Sequence, residues 1–514
     1  MASRNNKLIP ALRTGLIVSA VLGLTACAQL TPPALTDADV ASTSQADRSA
    51  MARDVEPIMS PLTLEEAMAR ALKYNLDRRA KLMEEAVALR QLDLTRYDML
   101  PTLAARLSAQ SRSNDRISQS LDPETGDISS NGFISQDRSH HMSDLGVTAS
   151  LLDFGMGYYN ARQQTNRVYI AAEKRRRAMH LLMQDVRIAY WRAASAQKLR
   201  DDVAATIRAA EEALADSRKL EQERTRNPVD ALRYQRQLLE NLRLLESINQ
   251  ELLSAQVDLA SLINAPLNQP IPIAESALAD TATRVVSVPV EQLETVALRQ
   301  NADLREQHYN ARVAQEETRK AMLRMFPNLS FNYGFNYDSD KYLINNHWRE
   351  AGLQLSFNFM NLLTGPAQVK LAEAGVKLAD QRRMATQMAV LTQLHLVRLQ
   401  FLNARSQFAR AEEVYATDRR ISELMRTREA VQASSKLERV SNDTAAILSL
   451  LRRYQALAQV QAAENRLLAQ LGLEPRIGRT DELSLQALTE QIKGQTGFDP
   501  LWLRMSSDLP RTAP

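Results

Sequence analysis

The sequence is poor in the residues that crosslink or interrupt a chain. It holds one cysteine, Cys27, so no disulfide can form within a single copy. Its 514 residues include only 15 glycines and 18 prolines, and residues 158–227 contain neither. These low counts favour long uninterrupted helices over many short elements. The length also exceeds one ordinary globular core, so several structural regions are expected.

The sequence also lacks a strong excess of either charge. The formal net charge is +4, but Arg4, Lys7 and Arg13 lie in a leader without acidic residues, so about +1 remains for the rest. That balance gives no sign of a surface for phosphates, and no nucleic-acid partner is expected. The basic run Lys174-Arg175-Arg176-Arg177 is predicted to be a solvated helix face.

Catalytic and metal-binding patterns are equally scarce. There are six histidines, and His140, His141 and His347 are predicted to lie in polar loops before strands. None has further ligands at a spacing typical of a metal site. No phosphate loop, nucleophile elbow or pair of catalytic carboxylates stands out. We therefore expect neither an enzyme nor a bound cofactor.

The first 27 residues have the order of a bacterial lipoprotein signal. A basic start is followed by an apolar run over 16–24 and by Leu24-Thr25-Ala26-Cys27. Basic, apolar and small residues in that order are typical of a secretory signal peptide, and the ending resembles a lipobox. We predict a signal peptide at 1–26 and acylation of Cys27, with an ordinary signal peptide as the alternative. Ala28 after the cysteine favours sorting to the outer membrane.

The rest of the chain divides into a tether and two repeats. Residues 27–60 show no apolar period and are predicted to be a lipid-anchored tether. Beyond them Ala71-Leu72-Lys73-Tyr74-Asn75 matches Ala297-Leu298-Arg299-Gln300-Asn301 at an offset of 226, whereas later matches lie 208 or 209 residues apart. The first copy therefore has about 18 extra residues between 102 and 150. The predicted regions are a first repeat at 61–266, a linker at 267–289, a second repeat at 290–475 and a tail at 476–514.

Each repeat is predicted to contain a helix, a β-hairpin, a very long helix and a returning helix. The first helix is predicted over 63–99, where Thr63 and Glu66 form a capping-box pattern. Pro101 and Pro327 end the opening helices, because proline disfavours helical angles in the residue before it. The tail is predicted to contain a short helix over 481–492.

Alternating side chains predict the β-hairpins at 102–153 and 328–360. Apolar residues alternate with polar ones over 329–338 and 353–359, and more faintly over 103–109 and 145–151. Strands of this kind have one apolar and one polar face, and about ten residues fit a tilted crossing of a bilayer. A soluble sheet with one buried face is the alternative. An aromatic girdle is one reading of four residues in the second hairpin, with packing in a core or loop as the other: Tyr333, Tyr337, Tyr342 and Trp348.

Coiled-coil hairpins are predicted at 154–265 and 361–473. The returning helix of the first repeat carries apolar residues at steps of three and four, from Leu238 through Leu245 to Leu259. Helices of this length need partner helices beside them. The turns are placed by capping signals, Asn227-Pro228 in the first repeat and Ser435 with Glu438 in the second.

Taken together, these features resemble the TolC-like family of outer membrane efflux proteins. The resemblance covers roughly 62–475 and depends on four marks: the opening helix with Asn75, the pair Leu100-Pro101, Leu151-Leu152-Asp153-Phe154-Gly155 after the hairpin, and the closing Leu471-Gly472-Leu473. It implies a mainly α fold with a membrane β-barrel portion. Three copies would close a barrel of twelve strands, continued into the periplasm by an α-helical barrel.

The resemblance also implies a function, partners and site residues. The chain would be a passive exit duct, anchored by lipid in the outer membrane of a Gram-negative cell, that works with a periplasmic adaptor and an inner-membrane transporter. Asp230 and Asp443 are candidates for the periplasmic aperture, with a plain helix-end or surface role as the alternative. The adaptor would contact the hairpin tips, with Asn227, Pro228, Ser435 and Glu438 as candidates.

Two questions stay open at this stage. The sequence lacks a Gly-Pro-Asp-Tyr run after the cysteine, so drug efflux and type I protein secretion are both possible. A coiled-coil structural lipoprotein without a channel is the alternative from a different functional class.

Overall fold

The computed structural model describes residues 34–222, 228–274, 287–431, 435–475, 477–478, 480, 482–495 and 497–508. The chain splits into two compact units, Met1–Val55 and Glu56–Pro514. In the first unit, helix α1 (Asp37–Ala52) begins with a capping box formed by Thr36 and Asp39 and buries none of its residues. This helix occupies part of the stretch predicted as a tether. The predicted signal peptide and Cys27 lie outside the described residues.

The second unit repeats one order of elements twice. The first copy contains α2 (Leu64–Tyr74), α3 (Leu76–Tyr97), β1 (Thr102–Ser111), β2 (Ile117–Ser118), β3 (Phe133–Ile134), β4 (Ser139–Ser150), α4 (Leu151–Gln222) and α5 (Pro228–Leu262). The second contains α6 (Val290–Gln300), α7 (Ala302–Leu323), β5 (Asn328–Asp338), β6 (His347–Ser356), α8 (Met360–Ala430) and α9 (Lys436–Leu471). Two short helices follow, α10 (Leu485–Ile492) and α11 (Phe498–Asp508). The extra residues of the first copy form the small β2–β3 hairpin and its flanking loops.

The opening helix of each repeat is broken, so the prediction of one helix over 63–99 was wrong. Asn75 ends α2, where its N–H donates to Ala71 O, and begins α3, where its side chain accepts from Arg78 N (3.0 Å). Asn301 ends α6 and begins α7 in the same way. One residue thus serves as the C-cap of one helix and the N-cap of the next.

The same two asparagines tie the break to the end of the returning helix. Asn75 Nδ2 donates to Leu262 O (3.1 Å), and Asn301 Nδ2 donates to Gln470 O (3.0 Å). These carbonyls belong to the last turns of α5 and α9, where they have no partner within the helix. In each repeat, one buried asparagine amide therefore connects the break in the opening helix to the end of the returning helix.

The four long strands form one antiparallel sheet in the order β1-β4-β5-β6. Its register pairs Arg106 with Asp144, Asp144 with Asn336, and Asn336 with Trp348. β1 and β6 each have a partner on one side only. The strands β4 and β6 begin earlier than predicted, so His140, His141 and His347 are strand residues and the loop prediction for them was wrong.

Next to the sheet, the long helices form a single layer of four neighbouring helices, which we call the four columns. Beside the sheet the order is α3, α4, α7, α8, and farther from it the order is α5, α4, α9, α8. At 72 and 71 residues, α4 and α8 run through both halves, about 100 Å each at 1.5 Å per residue. The edge helix α3 leads into edge strand β1, and edge strand β6 leads into edge helix α8.

Buried leucines hold the hairpin columns together. The predicted seam of α5 is confirmed from Leu238 to Leu259, because the residues at its steps of three and four are buried. They pack in clusters with α4 and α9, one around Leu199, Leu245 and Ile447. Because burial follows the three-and-four spacing, the long helices are stabilised as a coiled coil and not as separate rods.

A glycine in each repeat allows the long helix to approach the chain before the first strand. A Cβ on Gly157 would lie 3.0 Å from Asp98 O and 3.0 Å from Met99 Cγ. A Cβ on Gly365 would lie 2.7 Å from Met325 Cγ. Met99 and Met325 are matched residues of the duplication, so both helix–sheet junctions use the same glycine–methionine contact.

Candidate functional site

The sheet has one apolar and one polar face, as the alternation predicted. The odd-numbered residues of all four strands carry the apolar side chains, and these are exposed in the single chain. They include Leu103, Leu107, Leu145, Phe331, Phe335, Tyr337, Leu353 and Leu355. An exposed apolar surface of this extent marks contact with a membrane or a partner.

Polar groups form connected rows on the opposite face. In one row the Asn336 amide lies between two neighbours. With the amide oriented to satisfy both of them, its nitrogen donates to Asp144 Oδ1 (3.1 Å) and its oxygen accepts from Trp348 Nε1 (3.0 Å); in the opposite orientation its nitrogen lies 3.4 Å from Glu350 Oε2. Trp348 therefore lies on the polar face, whereas Tyr333 and Tyr337 lie on the apolar face. The prediction that Trp348 belongs to an aromatic girdle was wrong, because Trp348 lies on the polar face of the sheet with the other even-numbered residues.

Both edges of the four-column layer carry exposed apolar residues. On α3 they recur at steps of seven, four, seven and three: Leu76, Met83, Val87, Leu94 and Tyr97. On α8 they run along most of the helix: Leu371, Leu378, Met388, Leu399, Ile421 and Leu424. Such spacing is typical of a helix that packs along another helix, and within the described chain these stripes face no partner helix.

The tip of the first hairpin presents charged residues to solvent. Asp230 is exposed in the first turn of α5, 3.6 Å from Arg233 Nη1. Pro228 is the first residue of α5, as its helix-start pattern predicted, and Asn227 lies outside the described residues. At the second tip, Ser435 and Glu438 form the predicted capping box of α9.

Asp443 has a different environment from Asp230. Its side chain is buried, where it accepts hydrogen bonds from Ser422 Oγ and from Arg426 Nε (3.0 Å). Ser422 and Arg426 belong to α8, so this carboxylate joins the two helices of its own hairpin. In the single chain Asp443 is therefore not a free charge at the tip.

Lys436 links the two hairpins near their tips. Its Nζ lies 3.0 Å from Glu212 Oε1 and 3.0 Å from Asp216 Oδ2, both on α4. The pKa of Lys436 is raised because its ammonium donates hydrogen bonds to Asp216 and Glu212. Asn241 Nδ2 also donates to Ser441 Oγ (3.1 Å) across the hairpins. Sequence analysis missed Lys436, whose partners lie more than two hundred residues away.

The basic run in α4 pairs with acidic residues of α3, of α7 and of the segment after α9. The prediction of a solvated face holds for the exposed Lys174 and Arg177 and was wrong for Arg175 and Arg176. Arg175 pairs with Glu85 on α3 (2.6 Å), and Arg177 pairs with Asp303 on α7 (2.9 Å). Lys174 lies 3.8 Å from Glu306.

Arg176 lies at the centre of this cluster. Its guanidinium donates to Glu474 Oε1 (2.9 Å), to Gly472 O (3.2 Å) and to Gln300 O (3.4 Å). Gly472 is the left-handed C-cap of α9 (φ 66°), and an added Cβ there would lie 2.1 Å from Gln300 O. One arginine thus holds the ends of α6 and α9 against the middle of α4.

His180 is buried one turn beyond Arg176. Burial and the nearby Arg176 charge lower the pKa of His180 to about 4. Its Nε2 lies 3.9 Å from Glu474 Oε2, whose carboxylate is already paired with Arg176. The imidazole is therefore neutral at neutral pH and forms part of the packing between α4 and α9.

The described residues contain neither a metal-binding cluster nor a helix suited to cross a membrane. No group of three or more histidine, cysteine, aspartate or glutamate side chains there could hold a metal ion. None of the described helices combines the length and the apolar composition that a membrane-crossing helix needs.

Comparison with solved structures identifies the fold. No known family model and no curated protein sequence matches the chain. The outer-membrane channel OprN superposes with a TM-score of 0.61 at 14% identity, over 82% of this chain and 95% of its own. The Campylobacter jejuni CmeC outer membrane channel gives 0.61 at 13% identity, over 84% and 89%.

The Vibrio cholerae outer membrane protein VceC gives a TM-score of 0.58 at 13% identity, over 80% of this chain and 96% of its own. This chain has the fold of the TolC-like outer-membrane channels. The fold is mostly helical, as predicted, and these neighbours are channel proteins, not enzymes. In the single chain the four-stranded sheet is open.

Proposed function

We propose that this protein is the outer-membrane exit duct of an export system, formed by three copies of the chain. One observation carries the proposal: the open sheet exposes an apolar face, keeps a polar face opposite, and continues without interruption into paired long helices. A water-filled passage through lipid needs that arrangement of faces. Substrates would pass through it without any chemical step.

The unpaired edges support assembly from several copies. β1 and β6 each leave a row of backbone N–H and C=O groups without a partner strand, and such edges are not tolerated in lipid. Edge pairing of β1 with β6 of a neighbouring copy is head-to-tail, and such contacts generate a closed ring when the rotation closes. Three copies of the four strands give the twelve-stranded barrel that the family resemblance implies.

The helical edges support the same arrangement. The apolar stripe of α3 continues from edge strand β1, and that of α8 continues from edge strand β6. Packing α3 of one copy against α8 of the next would extend the barrel as a helical tunnel in the periplasm. Both stripes would then be removed from water, which is favourable at about 25 cal/mol per Å² of apolar surface.

The tip and the N-terminus would connect the duct to its surroundings. We propose that Cys27 carries lipid in the outer membrane, and that a periplasmic adaptor and an inner-membrane transporter, driven by protons or ATP, meet the tips. Ser435 and Glu438 at the second tip, with Asn227 and Pro228 at the first, are the proposed adaptor contacts. Asp230 is the preferred aperture residue because its carboxylate is exposed. Asp443 can act as an aperture residue only if its hydrogen bond to Arg426 breaks, because that bond holds its carboxylate between α8 and α9.

Replacement of Cys27 by Ser tests the proposal against a lipid-anchored structural spacer. We expect the Cys27→Ser protein to remain in the outer-membrane fraction after carbonate washing and to migrate as a trimer in detergent, because its barrel holds it there. The unmodified protein is the matched control. A Cys27→Ser protein recovered as a soluble periplasmic monomer would contradict the proposed duct and favour the spacer.

A further inference from the structure

One aromatic side chain lies on the polar face of the sheet. Among the residues of the four long strands, Trp348 is the only tryptophan, tyrosine or phenylalanine at an even-numbered, polar-face position. The other strand aromatics, such as Phe335 and Tyr337, lie on the opposite face. An aromatic ring among polar groups is not explained by packing against lipid.

Hydrogen bonding fixes the Trp348 ring and leaves its surface accessible. The indole N–H is satisfied by Asn336, which is held in turn by Asp144. The side chain is nevertheless 38% exposed, whereas Trp191 and Trp502 are buried. A positioned, water-exposed indole gains free energy when a second apolar group covers it.

Two carboxylates lie on the same face of the sheet as the ring. Glu350 lies two residues along the same strand, about 7 Å away, and Asp144 lies two strands across, about 10 Å away. Neither carboxylate forms an ion pair with any described residue. Arg106 lies beyond Asp144, at the far end of the row. Gly352 adds space, since a Cβ there would meet nothing within 4 Å.

We propose that Trp348, Glu350 and Asp144 form a binding shelf for planar organic cations inside the exit passage. The inference rests on the proposed function, because it takes the polar face as the lining of the channel. A flat aromatic cation would stack on the indole, where the ring quadrupole attracts positive charge, while the carboxylates neutralise that charge from either side. Each copy in the ring contributes one shelf.

Block of the channel by ethidium tests this site. Purified protein in a planar bilayer is given ethidium, a planar aromatic cation, and the loss of potassium current is measured against concentration. We expect Trp348→Ala to weaken the block about tenfold. Tyr337→Ala, a neighbouring aromatic on the opposite face, is the matched control and should leave the block unchanged. Tetramethylammonium carries the charge but has no ring to stack on the indole, so its block should be weaker and should differ less between the variants.

Two milder variants keep the test decisive if Trp348→Ala does not assemble. Trp348→Phe retains a weaker ring and should weaken the block by about threefold, and Glu350→Gln should weaken it by a similar factor. Equal block of the unmodified protein, Trp348→Phe and Glu350→Gln would overturn the shelf while leaving the duct intact. An unmodified protein that incorporates but carries no current would instead overturn the proposed function, and the shelf with it.

Discussion

Each of the two asparagines at the helix breaks has three hydrogen-bonding roles. Its N–H ends one helix, its side-chain oxygen begins the next, and its side-chain nitrogen bonds to the returning helix. Asn301 ends α6, begins α7 and donates to Gln470 O at the end of α9. A hydrophobic residue could continue the helix but could not satisfy these buried backbone groups. The amide therefore fixes where each repeat bends, and it joins parts of the chain 169 residues apart.

Removal of this amide should destabilise the fold more than the loss of most single polar side chains. Asn301→Ala loses the cap and leaves Gln470 O without its donor, so we expect a loss of about 2–3 kcal/mol in the free energy of unfolding by urea. Asn442→Ala is the matched control, because Asn442 only donates to Glu438 O within its own helix (2.7 Å). It should change stability by less than about 0.5 kcal/mol. Equal effects would contradict the capping role.

His180 should make the middle of the molecule sensitive to acid. The unfolded chain binds a proton at this residue near pH 6.5, whereas the folded chain does so only near pH 4. The stability contribution is therefore complete above pH 6.5 and is lost as the pH falls towards 4, by about 3 kcal/mol in total.

Urea unfolding at several pH values from 7.5 to 4.5 would measure this dependence. His180→Gln cannot titrate, so its stability should fall less steeply over this interval than that of the unmodified protein. His395, which is exposed and lies 2.8 Å from Glu294, provides the control substitution His395→Gln. If His180→Gln retained the full slope, the acid sensitivity would have another origin.

At the scale of the element, the glycine at each helix–sheet junction is required by space. Gly157→Ala would force a Cβ against Asp98 O and Met99, so we expect a loss of about 1–3 kcal/mol. Gly375 lies in the interior of α8, where a Cβ would meet nothing within 4 Å. Gly375→Ala should therefore stabilise the single, unassembled chain, by about 0.5–1 kcal/mol. Changes of opposite sign in the thermal unfolding temperature of the two variants would confirm the contrast, and changes of the same sign would contradict it.

Helix α5 offers two leucines with different expected roles. Leu245 is 0% exposed in the coiled-coil core, and Leu239 is 48% exposed on the outer face. Leu245→Ala should cost about 2–5 kcal/mol of unfolding free energy. Leu239→Ala should leave unfolding within about 0.5 kcal/mol of the unmodified protein. Urea unfolding measures both variants, and a Leu239→Ala protein that unfolds as readily as Leu245→Ala would refute the assignment.

Elements with a local period could be predicted from the sequence, and long-range partners could not. The strand alternation over 329–338 and the leucine seam of α5 each repeat within a few residues, so both were visible. Apart from Glu173, the acidic partners of the basic run in α4 lie 90 to 298 residues away, so the local sequence did not distinguish the run from a solvated face. Trp348 was misplaced because β6 was predicted to begin at 353. The apolar residues of β6, such as Leu353 and Leu355, are odd-numbered, so the even-numbered Trp348 could already have been assigned to the polar face.

At the scale of the whole molecule, the single chain is incomplete in a specific way. Both edge strands and both edge helices present surfaces suited to a copy of the same chain, and the sheet has one apolar and one polar face. The sequence predicted the faces and the duplication, because these repeat along the chain. The pairing between copies is set by edges that meet only on assembly, so no pattern within one chain specifies it.

Single-channel recording tests the central claim most directly. Purified trimer incorporated into a planar bilayer should give discrete current steps of uniform size in potassium chloride, because a polar passage then runs along the axis shared by the copies. Trimer that enters the bilayer and never conducts at any voltage would show that no open passage exists.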